Sequence, residues 1–332
     1  MVFLGFIAGP VFDNGHLILL LRIGSILILV GMIMQGLSSE YWHLFLSQGI
    51  CMGIGMGLLA VPSVAIPSAW FTTAISFGKY EVSNKLPLAN GIVVSASGFG
   101  GVIYPIMIRS LIPKIGFKFT SLSVALVTLL TLGVSNIVLR QPTPPKAKRA
   151  FFDKSALKDT PYILFVVGCM LSYLGIYTTF FYLSSYAVQE KITTENTASY
   201  FVSSGCHSYF FTDPVSIDPQ YQGICYIRSR SRSLTHTLLV LNGASVFGRV
   251  IPNIPSLTLR LGPLNMMVTS VVSMAIIVLT FNTRPDLAGL VVSIVLYGFF
   301  TGAFFTLQPT IFAQLTDDPS RLGTRTGMAS TM

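Results

Sequence analysis

Charge is scarce in this chain: Asp, Glu, Lys and Arg make up 10% of its 332 residues, against 52% apolar residues and a mean hydropathy of +0.70. A single water-soluble core is excluded, because so much apolar surface could not be kept out of water. Histidine is scarce too, and His16, His43, His207 and His236 show no metal-ligand spacing. No HExxH, GxxxxGK[ST] or GxSxG occurs, so zinc peptidases, P-loop enzymes and serine hydrolases are excluded, and no metal, other cofactor or enzymatic role is expected. With only four cysteines, a disulfide framework is not the organising feature. Cys51 and Cys169 fall in apolar runs and read as small core residues. Cys206 and Cys225 share one loop and either pair or stay free, because spacing does not fix geometry.

Long apolar runs dominate what remains. Residues 88–108, 119–139, 161–187, 263–283 and 287–316 contain no charged side chain, and about 20 apolar residues suffice for a helix to span the hydrocarbon. Backbone groups in lipid must be paired internally, so runs of this length are helices. The expected fold class is an all-α polytopic membrane bundle in contact with the lipid bilayer. Full spans are expected near 17–37, 42–69, 88–111, 117–139, 161–187, 237–257, 263–283 and 287–313, about eight in all, with partial ones at the ends.

The formal charge of +9 would point to nucleic acid in a soluble protein. Here the cations lie in short gaps between spans, so orientation accounts for them and no nucleic-acid partner is expected. Arg140, Lys146, Lys148, Arg149, Lys154 and Lys158 cluster in one loop, which the positive-inside rule places in the cytoplasm. Its Gln141-Pro-Thr-Pro-Pro145 start cannot be helical. The expected division is a bundle over 1–139, a linker over 140–160 and a second bundle over 161–332.

Inside the spans, Gly49, Gly53 and Gly57 recur every four residues, as do Gly298 and Gly302. Such faces allow close helix packing, and in transporters they also allow helices to rock. Tyr173, Tyr177, Phe180 and Phe181 form a helical stripe that either packs on another helix or walls a cavity. Arg249 is flanked by apolar sequence on both sides, where an ionised side chain costs at least ~2.5 kcal/mol. Either it snorkels to the interface, as the more terminal Arg22 does, or its guanidinium binds a carboxylate through two parallel hydrogen bonds.

Several segments, taken in order, resemble one family. Gly9-Pro-Val-Phe-Asp13 followed by Gly15 resembles the loop between the second and third helices of the major facilitator superfamily. Trp70-Phe71 leading to Leu88-Ala-Asn-Gly-Ile-Val-Val-Ser-Ala-Ser-Gly-Phe-Gly-Gly101 is similar to the fifth-helix signature of its monocarboxylate-porter branch. Asn242 to Arg249, Leu296 to Phe304 and Gly323-Thr-Arg-Thr-Gly-Met328 resemble the eighth, tenth and eleventh helices of fungal members.

The resemblance implies two six-helix halves that move a small organic solute by alternating access, as a proton symporter in many members. The first and twelfth helices are then missing, the second is a stub and the eleventh stops early, so the chain reads as truncated at both ends. Arg249 matches the arginine that binds the substrate carboxylate, and Asn242, Tyr177, Phe181, Phe300 and Phe304 complete the expected solute-binding set. Gly9 and Asp13 match the gating loop, although Asn14 and His16 replace its usual arginines. Gly98 and Gly101 join Gly49, Gly53, Gly57, Gly298 and Gly302 as expected helix-packing positions. Ser245 stands where animal members carry a proton-coupling aspartate, so proton coupling is either lost or carried elsewhere.

Two stretches break the pattern, Thr72 to Asn84 and about 37 residues between Tyr200 and Leu238 that end in Arg228-Ser-Arg-Ser-Arg-Ser233. They read as translated introns, with a genuine basic outer loop as the rival reading. The expected function is transport of a monocarboxylate or similar small organic anion at the plasma membrane, a vacuolar or other internal membrane being the alternative. The competing readings are a non-transporting truncated product of a gene-model error and a membrane binding or regulatory protein.

Overall fold

The computed structural model describes residues 2–76, 86–140, 155–189, 240–280, 287–316 and 321–331. They are predominantly helical, as the long apolar runs require. In chain order the helices are α1 (Val2–Asp13), α2 (Leu17–Gly36), α3 (Tyr41–Leu44), α4 (Gly53–Ser76), α5 (Leu86–Val138), α6 (Thr160–Gln189), α7 (Val240–Val250), α8 (Pro255–Leu261), α9 (Pro263–Thr280), α10 (Leu287–Gln314) and α11 (Leu322–Thr331). A π-helical segment, Phe45–Met52, joins α3 to α4 without a break.

Among the described residues seven stretches are long and apolar enough to cross a membrane: Leu17–Gly36, Tyr41–Pro67, Leu86–Ile108, Ser110–Val138, Thr160–Phe180, Pro263–Thr280 and Ala288–Gln314. Gly116, at φ 75° and ψ 170°, interrupts α5, a conformation that a side chain would strain. The span expected over 237–257 is corrected. Its described part is helical only over Val240–Val250, followed by a 3-10 turn, Ile251–Asn253, and the separate α8. Pro252 and Pro255 account for the break, since each lacks an amide donor and Pro255 holds Ile254 extended at φ −63° and ψ 128°. Of the linker expected over 140–160, residues 141–154 lie outside the described residues, as do Cys206, Cys225 and nearly all of the two pattern-breaking stretches.

The chain forms two compact units, each drawing on both sides of residues 140–160. One comprises Met1–Leu86, Leu111–Met170 and Pro309–Met332. In it α1, α2 and α4 bury Ala8, Phe12, Leu17, Leu20, Leu21, Val61, Ala65 and Ile66 against one another, while Tyr162, Phe312, Leu322 and Met328 form a second core where α6, α10 and α11 meet. The other unit comprises Pro87–Ser110 and Leu171–Gln308, with α7 packed against the first part of α5 and against α10. Large aliphatic side chains such as Leu130, Leu171 and Leu279 stay exposed. Water would penalise such a surface and acyl chains would not.

Candidate functional site

The site in the second unit is built on α7, and close backbone contact makes it possible. A Cβ at Gly98 would lie 2.7 Å from Val246 Cγ2 and 3.0 Å from Arg249 Nη1, and one at Gly101 would lie 3.0 Å from Asn242 Oδ1. From α10, a Cβ at Gly298 would lie 2.5 Å from the Leu241 carbonyl oxygen, and one at Gly302 would overlap the Ser245 carbonyl. Gly248 of α7 is in equally close contact with the Phe299 carbonyl. These small residues let α5 and α10 approach α7 so tightly that a polar side chain on α7 meets their backbones.

Arg249 meets them in this way. It is 8% exposed, held between α5 and α10. Nη1 donates to the Val94 carbonyl at 3.1 Å and to Ser97 Oγ at 2.6 Å, both on α5. The guanidinium carbon stands 5.9 Å from the centre of the Phe305 ring on α10. Nε is buried without a partner. Among the described residues no carboxylate pairs with Arg249, so its partners are neutral and its Nε–Nη2 edge is unengaged. A buried cation without a counter-charge is costly, and an arriving carboxylate could relieve that cost through two parallel hydrogen bonds.

Asn242 is buried on the same helix and donates from Nδ2 to the Gly101 carbonyl at 3.3 Å. Ser245 Oγ donates to the Asn242 carbonyl at 2.8 Å. Phe304 is fully buried and meets Tyr173 edge-on at 5.4 Å, as a core ring. Tyr177 is half exposed and stacks on Tyr173 at 6.0 Å, and Phe300 packs on Phe299 at 5.5 Å. Phe181 lies in α6, with its side chain outside the described residues. Sequence reasoning missed Ser97, Phe305 and Gln308 as partners of this cluster. Nothing in their local pattern distinguishes them, because they matter only through contacts between helices.

In the first unit Asp13 ends α1 and is 6% exposed. Its Oδ1 accepts the Gly323 amide at 3.1 Å, and Oδ2 accepts the Thr324 amide at 2.6 Å and the Thr324 hydroxyl at 2.7 Å. The carboxylate therefore caps the N-terminus of α11, where unpaired amides and the helix dipole favour an anion. Gly9 faces the Gly323 carbonyl and Gly327 faces the Gly5 carbonyl, so a four-residue glycine repeat on each helix brings α1 and α11 into contact. Beside them Arg325 pairs with Asp159 at 3.3 Å and donates to the Leu315 carbonyl at 2.9 Å. The Tyr162 hydroxyl donates to the Arg325 carbonyl at 2.7 Å.

The glycine face expected at Gly49, Gly53 and Gly57 is corrected in part. A Cβ at Gly49 would meet only Phe45 of its own turn, and one at Gly53 would meet nothing within 4 Å; Gly57 is buried. The close approach falls at Gly55, whose Cβ would lie 2.8 Å from the Gly24 carbonyl of α2. The π-helical turns of Phe45–Met52 are the reason, because they carry more residues per turn and rotate the face away from a four-residue repeat.

Residues 1–214 match the family described as Major Facilitator Superfamily. The chain belongs to that superfamily. It is 33% identical over 328 residues to "MFS-type transporter dbaD" of Emericella nidulans, covering 99% of this chain and 63% of the relative. It is 26% identical to "Aspyridones efflux protein apdF" of the same organism, covering 98% and 56%, and 28% identical to "Agnestins efflux protein AgnL12" of Paecilomyces divaricatus, covering 98% and 64%. The chain thus spans less than two thirds of the length of these relatives. They are named as transporters and efflux proteins, in keeping with a membrane protein of this superfamily that is not an enzyme.

Proposed function

We propose that this chain supplies the solute-binding helices of a transporter that carries a small organic anion of the monocarboxylate type across a membrane. The observation that supports this most directly is the unengaged edge of Arg249, a buried cation held only by neutral groups. A carboxylate matches that edge in charge and in planar geometry, whereas an uncharged solute would leave the cation uncompensated. The names of two relatives, efflux proteins for aspyridones and agnestins, favour export, and the plasma membrane is the location that suits export.

In the proposed cycle a half around 1–139 and a half around 161–332 alternate about the solute, and the contact of Asp13 with the α11 N-terminus holds one gate state closed. Ser245 carries no titratable proton, so no proton is drawn through its position on α7. The test is flux in proteoliposomes of a small aromatic carboxylate beside its neutral amide. Saturable flux of the acid, absence of amide flux, and at least a roughly ten-fold loss in Arg249→Lys are expected, because an ammonium lacks the planar fork. Equal flux by wild type and Arg249→Lys would remove Arg249 from the site.

A further inference from the structure

A second buried polar group lies one turn along α10 from the ring beneath Arg249. Gln308 is 9% exposed, its Oε1 accepts the Tyr173 hydroxyl at 2.7 Å, and its Nε2 is buried with no partner. An amide donor left unpaired inside a membrane bundle is expensive to keep, so an unpaired group there is a candidate for function. Tyr173 fixes the amide. It is itself held by Phe305 at 5.8 Å, Phe304 at 5.4 Å and stacked Tyr177 at 6.0 Å. Phe305 and Gln308 are three residues apart on one helix, which puts them on one face with Cβ atoms about 5–6 Å apart. The guanidinium of Arg249 stands over the ring of the first of them. A charged donor on α7 therefore stands over an aromatic ring on α10, with a neutral donor one turn further along α10.

We propose that Gln308, oriented by Tyr173, reads a hydroxyl or keto oxygen on the solute, so that the preferred ligand is an aromatic carboxylic acid carrying a second oxygen on its ring. This rests on the assignment of the carboxylate to Arg249. The acid would take the Nε–Nη2 edge, the ring would lie against Phe305 and its neighbours, and the ring oxygen would accept from Nε2. Asn253 is excluded from this set despite its unpaired Oδ1, because it is fully buried between the Arg249 carbonyl, the Thr306 hydroxyl and Gly91.

Equilibrium binding of benzoate, 3-hydroxybenzoate and 4-hydroxybenzoate to the purified chain tests the assignment. Wild type should bind at least one hydroxybenzoate about ten-fold more tightly than benzoate, the usual worth of one hydrogen bond. Gln308→Leu should abolish that preference while leaving benzoate affinity within about two-fold, and Arg249→Lys should weaken all three acids. Tyr173→Phe leaves the amide in place but frees it to rotate. It should reduce the preference without changing benzoate affinity, which a merely structural tyrosine would not do, and it serves as the second probe if Gln308→Leu does not fold. Equal affinities in wild type, a preference that survives Gln308→Leu, or one left undiminished by Tyr173→Phe would overturn the role of Gln308 alone. Failure of all three acids to bind, or indifference to Arg249→Lys, would overturn the reading of Arg249 and this inference with it.

Discussion

Single atoms decide the packing of α7. A methyl group at Gly302 would overlap the Ser245 carbonyl, whereas one at Gly175 of α6 would meet nothing within 4 Å. Gly302→Ala should therefore cost roughly 1–3 kcal/mol, the usual penalty of overpacking. Gly175→Ala should be neutral or stabilising by up to about 1 kcal/mol, because alanine favours the helix. Thermal unfolding of the two purified variants checks the contrast, and a reversed order would contradict the assigned contact. At the other interface Asp13→Asn keeps the shape but removes the charge that accepts two amides and a hydroxyl, so a loss of about 1.5–3 kcal/mol is expected in the same assay.

Whole elements obey the sequence where hydrophobic length decides and depart from it where backbone geometry does. The long apolar runs specify the seven spans found among the described residues closely, since length and composition suffice. Pro252 and Pro255 were as visible as any residue, yet an apolar window passes over them, and the break after Val250 follows from the ring and the missing amide. The π-helical Phe45–Met52 has no sequence mark at all, and it is why Gly55 rather than Gly53 meets α2. Alanine should be destabilising at Gly55 and tolerated at Gly53; a regular α-helix through this stretch would give a different order. Arg249, Asn242, Gly98, Gly101, Gly298 and Gly302 were legible as a group because each stands out within its own helix. Ser97, Gln308 and the pairing of Gly5 and Gly9 with Gly323 and Gly327 were not, because their significance lies in partners many residues away.

For the molecule as a whole, the basic cluster around residues 140–158 predicts an orientation. Ser39 and Lys158 are exposed at opposite expected sides of the membrane. In a background without the four native cysteines, Ser39→Cys should react with an impermeant thiol reagent in sealed cells, and Lys158→Cys should react only after permeabilisation. Reaction of the second in sealed cells would invert the topology. In the function proposed above, Arg249 is a buried cation whose missing counter-charge comes from the solute. Ser97 Oγ is 2.6 Å from Nη1, so Ser97→Asp would supply a carboxylate from within the protein. The decisive measurement is the affinity of Ser97→Asp for an aromatic monocarboxylate, with thermal unfolding confirming that the variant is folded. Acid binding should fall at least roughly ten-fold while the melting temperature holds or rises; unchanged affinity in a folded Ser97→Asp protein would show that the solute does not supply the counter-charge of Arg249.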